Sequence, residues 1–156
     1  MINLAKEKKD NRIYPINGVR ICIDREGETL AGRAYSKMTE AEIKFKSSSQ
    51  MLLKVDSLFD QCGYPQRFME ARSFRKNAVT ASRFQAPKPV VSDAEILEKR
   101  GKCCTVDVIV QSRRKAGWQG IVCRMDGRMI DRFESELELL KLLAKAVEKQ
   151  QAAINQ

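Results

Sequence analysis

The 156-residue chain contains no histidine, so the side chain that titrates nearest neutral pH is missing, and imidazole-based proton transfer and metal ligation are excluded with it. Glycine and proline are sparse, at 8 and 4 residues, which rules out collagen-like and linker-like compositions. The chain has no Gly-x-x-x-x-Gly-Lys loop, no Gly-x-Gly-x-x-Gly turn and no nucleophile elbow. No apolar run approaches the roughly 20 residues that span a bilayer, and the N-terminus lacks a signal-peptide core. A cytoplasmic protein with no membrane partner is therefore expected.

Cysteine is present in an odd number, five, at positions 22, 62, 103, 104 and 123, unlike a secreted disulfide framework. There is no Cys-x-x-Cys, and adjacent Cys103 and Cys104 would point to opposite faces of a strand and chelate poorly. Cys22 and Cys123 fall in strand patterns and read as small core residues. Asp24, Glu26 and Glu28 belong to one predicted turn, and Asp126 and Asp131 flank another. None has the local signature of a metal-dependent enzyme, so a non-enzymatic protein without metal or cofactor is expected.

What the chain does have is positive charge. There are 29 Lys and Arg against 20 Asp and Glu, a net charge of +9. Residues 1–90 hold 17 bases and 10 acids, leaving only +2 for the remainder. An acidic partner is implied: DNA or RNA, a protein in a nucleoprotein assembly, or an acidic protein surface.

The chain also resembles itself. Trp118 to Val147 aligns with Leu30 to Phe59 at an offset of 88 residues, placing Gly32 on Gly120, Phe45 on Phe133, Ser47 on Ser135 and Leu52 on Leu140. In both copies apolar residues alternate up to the phenylalanine and then recur at helical spacing, as Met51, Leu52, Val55, Leu58 and Phe59, and as Leu139, Leu140, Leu143, Ala146 and Val147. Ser47 with Gln50 and Ser135 with Glu138 have the spacing of capping boxes at the switch.

The predicted fold class is α+β: tandem β-β-β-α repeats with approximate internal twofold symmetry and antiparallel sheets covered by helices. Residues 1–12 read as a flexible basic arm and 13–62 as the first unit, with strands near 19–23, from Leu30 and near 43–46, then a helix over 48–61. Residues 63–91 are a basic connector in which Pro65 to Glu70 could begin a short helix. The second unit, 92–150, opens with the capping box of Ser92 and Glu95 and a two-turn helix closed by Gly101. Strands with a type I′ turn at Asp126-Gly127 and a helix over 136–150 follow, and 151–156 form a frayed tail. Whether the units join into one sheet, stack, or exchange between chains is open.

Candidate contacts with nucleic acid or an acidic partner are the connector residues Arg67, Arg72, Arg75, Lys76, Arg83 and Lys88, the cluster Arg113, Arg114 and Lys115 beside Trp118, and Lys44 and Lys46 at the start of the first helix. Trp118 itself reads as a core anchor rather than a stacking platform. The second helix begins with Glu134, Glu136 and Glu138, which suit the helix dipole but repel phosphate. The order α-β-β-β-α in 92–150 is similar to the double-stranded-RNA-binding domain, but those glutamates stand where that family carries bases, so RNA binding is not transferred. Trp118-Gln119-Gly120, Phe133-Glu134-Ser135 and Leu137-Glu138-Leu139 resemble small, largely uncharacterised proteins of clostridial-type bacteria with a Trp-Gln-Gly, Phe-Arg-Ser and Leu-Glu-Leu pattern. Here Glu134 replaces the arginine, and the resemblance implies no chemistry. The expected function is non-enzymatic nucleic-acid binding or nucleoprotein-associated regulation; the alternative is a protein-binding adaptor or inhibitor docking on an acidic surface.

Overall fold

The first strand, β1 (Gly18–Arg25), alternates Val19, Ile21 and Ile23 on one face with Arg20 and Cys22 on the other, and both faces are covered. In the computed structural model, which describes residues 12–68, 86–114 and 117–154, β1 lies at the centre of an antiparallel sheet. On one side it pairs with β2 (Ala31–Ser36), which pairs with β3 (Thr39–Phe45). A two-residue β4 (Arg67–Phe68) follows the first helix, and on its other side β1 pairs with β5 (Cys104–Arg114), the start of a meander through β6 (Gln119–Arg124) to β7 (Met129–Phe133). The order β3-β2-β1-β5-β6-β7 forms one sheet.

Two long helices cover one face. Helix α1 (Ser48–Cys62) starts where Ser47 accepts from the Gln50 N–H at 3.1 Å and the Gln50 side chain accepts from the Lys46 N–H at 2.9 Å. A short α2 (Asp93–Leu97) precedes β5, and α3 (Glu136–Ile154) closes the chain, its start held by Ser135 and Glu138 in the same reciprocal way, at 3.2 and 2.6 Å. Met51, Val55, Leu58 and Phe59 of α1 and Leu139, Leu143, Ala146 and Val147 of α3 are all buried in one core with Val19, Ile21, Ile23, Val106, Val108 and Val110. Gly32 pairs with Phe45, and Gly120 with Phe133. A Cβ on Gly32 would lie 2.0 Å from the Cys22 carbonyl oxygen and one on Gly120 1.9 Å from that of Ile109, so neither position accepts a side chain.

The opposite face is closed over its middle by α2 and the segment at Tyr14, in a second cluster of Tyr14, Cys22, Tyr35, Ile96 and Leu97. A fully buried arginine anchors it. Arg20 stands directly across from Asp107 and grips it through Nε and Nη2 at 2.9 and 2.8 Å, while Nη1 donates to the Leu97 carbonyl at 2.9 Å. The Tyr14 hydroxyl donates to the same carboxylate at 2.8 Å, and burial, reinforced by Asp107, raises its pKa well above the ordinary value and keeps it a neutral donor. Lys37 ties Asp93 of α2 to the Tyr14 carbonyl.

Several local expectations are corrected. Pro65 to Glu70 does not begin a helix through Arg67 and Phe68; α1 ends at Gly63, whose φ of 64° suits the left-handed cap, and the chain becomes extended because β5 offers backbone partners to β4. The turn at Asp126-Gly127 is a three-residue loop rather than type I′: Gly127 N–H donates to Arg124 O, Arg124 N–H to Arg128 O, and Gly127 takes φ 92°. Gly101 does not cap α2, which ends at Leu97; it lies against β1, where a Cβ would meet the Ile23 nitrogen at 2.5 Å. The third strand starts at Thr39, earlier than its apolar residues suggest, and α3 continues through Ile154, past the expected frayed end. Apart from Arg12, the predicted arm lies outside the described residues.

Asp107→Ala would leave Arg20 buried without its counter-charge. It should lower the unfolding free energy by about 3–5 kcal/mol in denaturant titration, and the double variant Arg20→Met, Asp107→Leu should recover most of that loss. A second expectation concerns acid. Arg33 hydrogen-bonds Asp24 at 2.8 and 3.0 Å, and these bonds hold its carboxyl below the usual range. The resulting stabilisation is present above the unfolded carboxyl pKa of about 3.9 and is lost as pH falls through the lower folded value. The stability gap between the protein and its Asp24→Asn variant should therefore be constant near neutrality and narrow below about pH 4.

Candidate functional site

The residues expected to hold an acidic partner fall into separate places. Lys44 and Lys46 are exposed at the end of β3 and the start of α1. The Gln50 N–H there is engaged by the Ser47 side chain and the Lys46 N–H by the Gln50 side chain. Arg114 is exposed at the far end of β5. Lys44 lies in the row Arg33, Cys22, Thr105, and from Thr105 to Arg114 the strand climbs about 30 Å at its usual rise per residue. A single compact footprint does not include both.

A different pair of basic stretches is brought together. β4 runs parallel to β5 with Arg67 opposite Arg113 and Phe68 opposite Arg114, so the connector departs alongside the second cluster. Lys88 is exposed close to where the chain returns, and Val90 N–H donates to Lys37 O at 2.8 Å. Arg72, Arg75, Lys76, Arg83 and Lys115 lie outside the described residues. All the undescribed residues together, 1–11 included, hold eight of the 29 bases but three of the 20 acids, more than half of the net charge.

Arg113 is not available as a surface contact. A bulge between Val110 and Ser112 inserts Gln111 into the pairing with β6 and turns Arg113 to the helix-covered face. There it is 2% exposed and lies 5.5 Å over the Phe59 ring; Nη1 reaches Asp56 and Asp60 of α1 at 3.0 and 2.8 Å, and Nε donates to the Pro65 carbonyl at 2.6 Å. Asp56 also accepts from the Trp118 indole at 2.9 Å, and Glu136 accepts from the Trp118 backbone at 3.1 Å. Trp118 is 2% exposed with its ring 5.5 Å from Phe59, a core anchor and not an open stacking platform. Asp56 and Asp60, one helical turn apart, were the only sequence hint that an arginine would dock on α1, and they do not say which one.

The described residues include no group of three or more His, Cys, Asp or Glu arranged to hold a metal. Cys22 and Cys104 are buried, and burial pushes both thiols up to about 11, so they stay protonated at neutral pH. Two concave features among the described residues are a groove of about 370 Å³ between β2, β3 and α2, bearing Tyr35, Glu42, Glu95 and Lys99, and one of about 400 Å³ where the second half of α3 crosses β5, β6 and β7. No helix among the described residues is long and apolar enough to cross a membrane. Comparison with known proteins gives no match: no family model fits the chain, and no curated protein or solved structure is significantly similar to it.

Arg113→Gln should lower stability by about 2–4 kcal/mol, somewhat below the cost of breaking a sealed ion pair because Asp56 and Asp60 keep part of their hydration. Arg114→Gln, one residue on and exposed, should change it by no more than about 0.5 kcal/mol. Thermal unfolding of the two single variants checks the contrast.

Proposed function

We propose that this is a non-enzymatic nucleic-acid-binding or nucleoprotein-associated regulatory protein whose phosphate contacts come from the connector and the strand end it leaves from. The residues assigned to that surface are Arg67, Arg72, Arg75, Lys76, Arg83, Lys88, Arg114 and Lys115, with Lys44 and Lys46 as a separate patch. The supporting observation is the β4–β5 register, which starts the connector beside Arg114 and gives two sequence-distant basic stretches one origin. Guanidinium and ammonium groups on such a stretch bind phosphate through charge and hydrogen bonds, independent of base sequence. Arg113 is left out because its guanidinium is engaged with Asp56, Asp60 and Pro65.

The same proposal treats the chain as an internal repeat. Matching capping boxes, matching Gly–Phe pairings and buried helix positions at one offset support that reading. In it the central β1–β5 pairing stands where two copies of an ancestral unit would have met. The alternative function, an adaptor or inhibitor that docks on an acidic protein surface, draws support from a different feature: β7 has no second neighbouring strand among the described residues and borders the groove beneath α3.

Replacing Arg72, Arg75, Lys76 and Arg83 with glutamine should weaken binding of both DNA and RNA oligonucleotides while leaving the unfolding midpoint nearly unchanged. Each lost phosphate contact should reduce the magnitude of the log-affinity against log-salt slope by about 0.7–0.9. Adding Arg114→Gln should reduce it further. Unaltered affinity and slope in the folded variants would reject the electrostatic reading.

A further inference from the structure

The groove beneath the second half of α3 has an aliphatic floor and a cationic rim. Val106 of β5, Leu142 and Ala146 of α3 and the half-exposed Ile130 of β7 supply the apolar surface; Arg124, Lys145 and Lys149 stand exposed around it, with Asp131 as the acid in the lining. Leu142, Lys145, Ala146 and Lys149 share one helical face by their spacing. None of the three cations forms a salt bridge among the described residues, so their charge is not spent on holding the fold. The groove also opens beside a sheet edge, since β6 is the one strand paired with β7 among the described residues.

The first unit is built differently at the matching place. The 88-residue offset aligns Asp131 of the groove with Ile43, which packs against the core. The β3 edge carries exposed Glu40 and Glu42, the latter paired with Lys44. One edge is filled and of mixed charge, the other opens on a groove rimmed by cations. Sheet edges that are not meant to pair are ordinarily blocked by charge or cover.

We infer that β7 and this groove form a docking site for an acidic peptide in extended conformation. Its backbone adds to the edge of β7, alternate apolar side chains enter between Ile130, Leu142 and Ala146, and its carboxylates meet Arg124, Lys145 and Lys149. The groove lining contains no aromatic ring, the feature on which unpaired bases usually stack, so the surface fits an acidic peptide better than a single nucleic-acid strand. The site is separate from the connector, and either assignment can fail without the other.

The test uses the full chain and three fluorescent probes: a peptide alternating leucine with glutamate, its leucine–lysine counterpart, and oligothymidylate. Anisotropy should show micromolar binding of the glutamate peptide and much weaker binding of the lysine peptide. Lys145→Glu with Lys149→Glu, on the exposed helix face, should lower that affinity about tenfold or more, and Ile130→Asp should lower it comparably. The connector variant should bind the peptide as the unaltered protein does. NMR amide shifts on titration should concentrate in Met129 to Phe133 and the second half of α3. Equal binding of both peptides, no binding, displacement by oligothymidylate, or indifference to the groove substitutions in folded protein would overturn the inference. Failure of the connector variant to bind the peptide would do so as well.

Discussion

The paired charges of Arg20 and Asp107 set the arrangement around which the two halves are joined. They face each other across the central β1–β5 ladder with Arg20 wholly buried, where an unmatched guanidinium would be severely penalised. The cost is offset by full engagement: two bonds to the carboxylate, one to Leu97, and a third donor to Asp107 from Tyr14. A shift of β5 by one residue in the pairing would turn Asp107 to the opposite face and set a valine against Arg20. The pair therefore specifies register, and its remaining bonds draw α2 and the Tyr14 segment onto the second face.

That choice makes the faces unequal. One is a largely apolar layer of aliphatic and aromatic residues beneath α1 and α3; the other combines charge, tyrosine hydroxyls and a five-residue helix. A second buried arginine, Arg113, performs a related task at the end of β5, joining α1 to the strand and to Pro65 while Trp118 shares its carboxylate. Arg113, expected from the sequence to be a partner contact, is thus committed to structure, as Arg20 is. Among the described residues, exposed positive charge lies elsewhere, on Lys44 and Lys46, on Arg114 and on the rim beside α3.

The serine caps and the change from alternating to helical periodicity were readable because both depend on local geometry: a capping side chain reaches three residues, and a strand or helix displays its buried face at fixed intervals. Phe45 and Phe133, Met51 and Leu139, Val55 and Leu143 were legible as core for that reason. The short β4 was not, because its two residues are extended only while β5 supplies their partners. The three-residue loop at Gly127 likewise reflects the register of β6 and β7 more than the Asp-Gly pair alone.

By itself, the sequence determined an α+β chain, its long helices and the strong excess of base. Tertiary structure alone decided that β1 would pair with β5 to make one sheet, since the valine and isoleucine alternation of each strand suits a stacked arrangement as well as a joined one. It also decided which bases were free. Arg113 and Arg114 are equally charged neighbours, yet a bulge at Gln111 sends one beneath α1 and leaves the other in water; the difference arises from long-range register, which no spacing within the tripeptide Ser112-Arg113-Arg114 encodes.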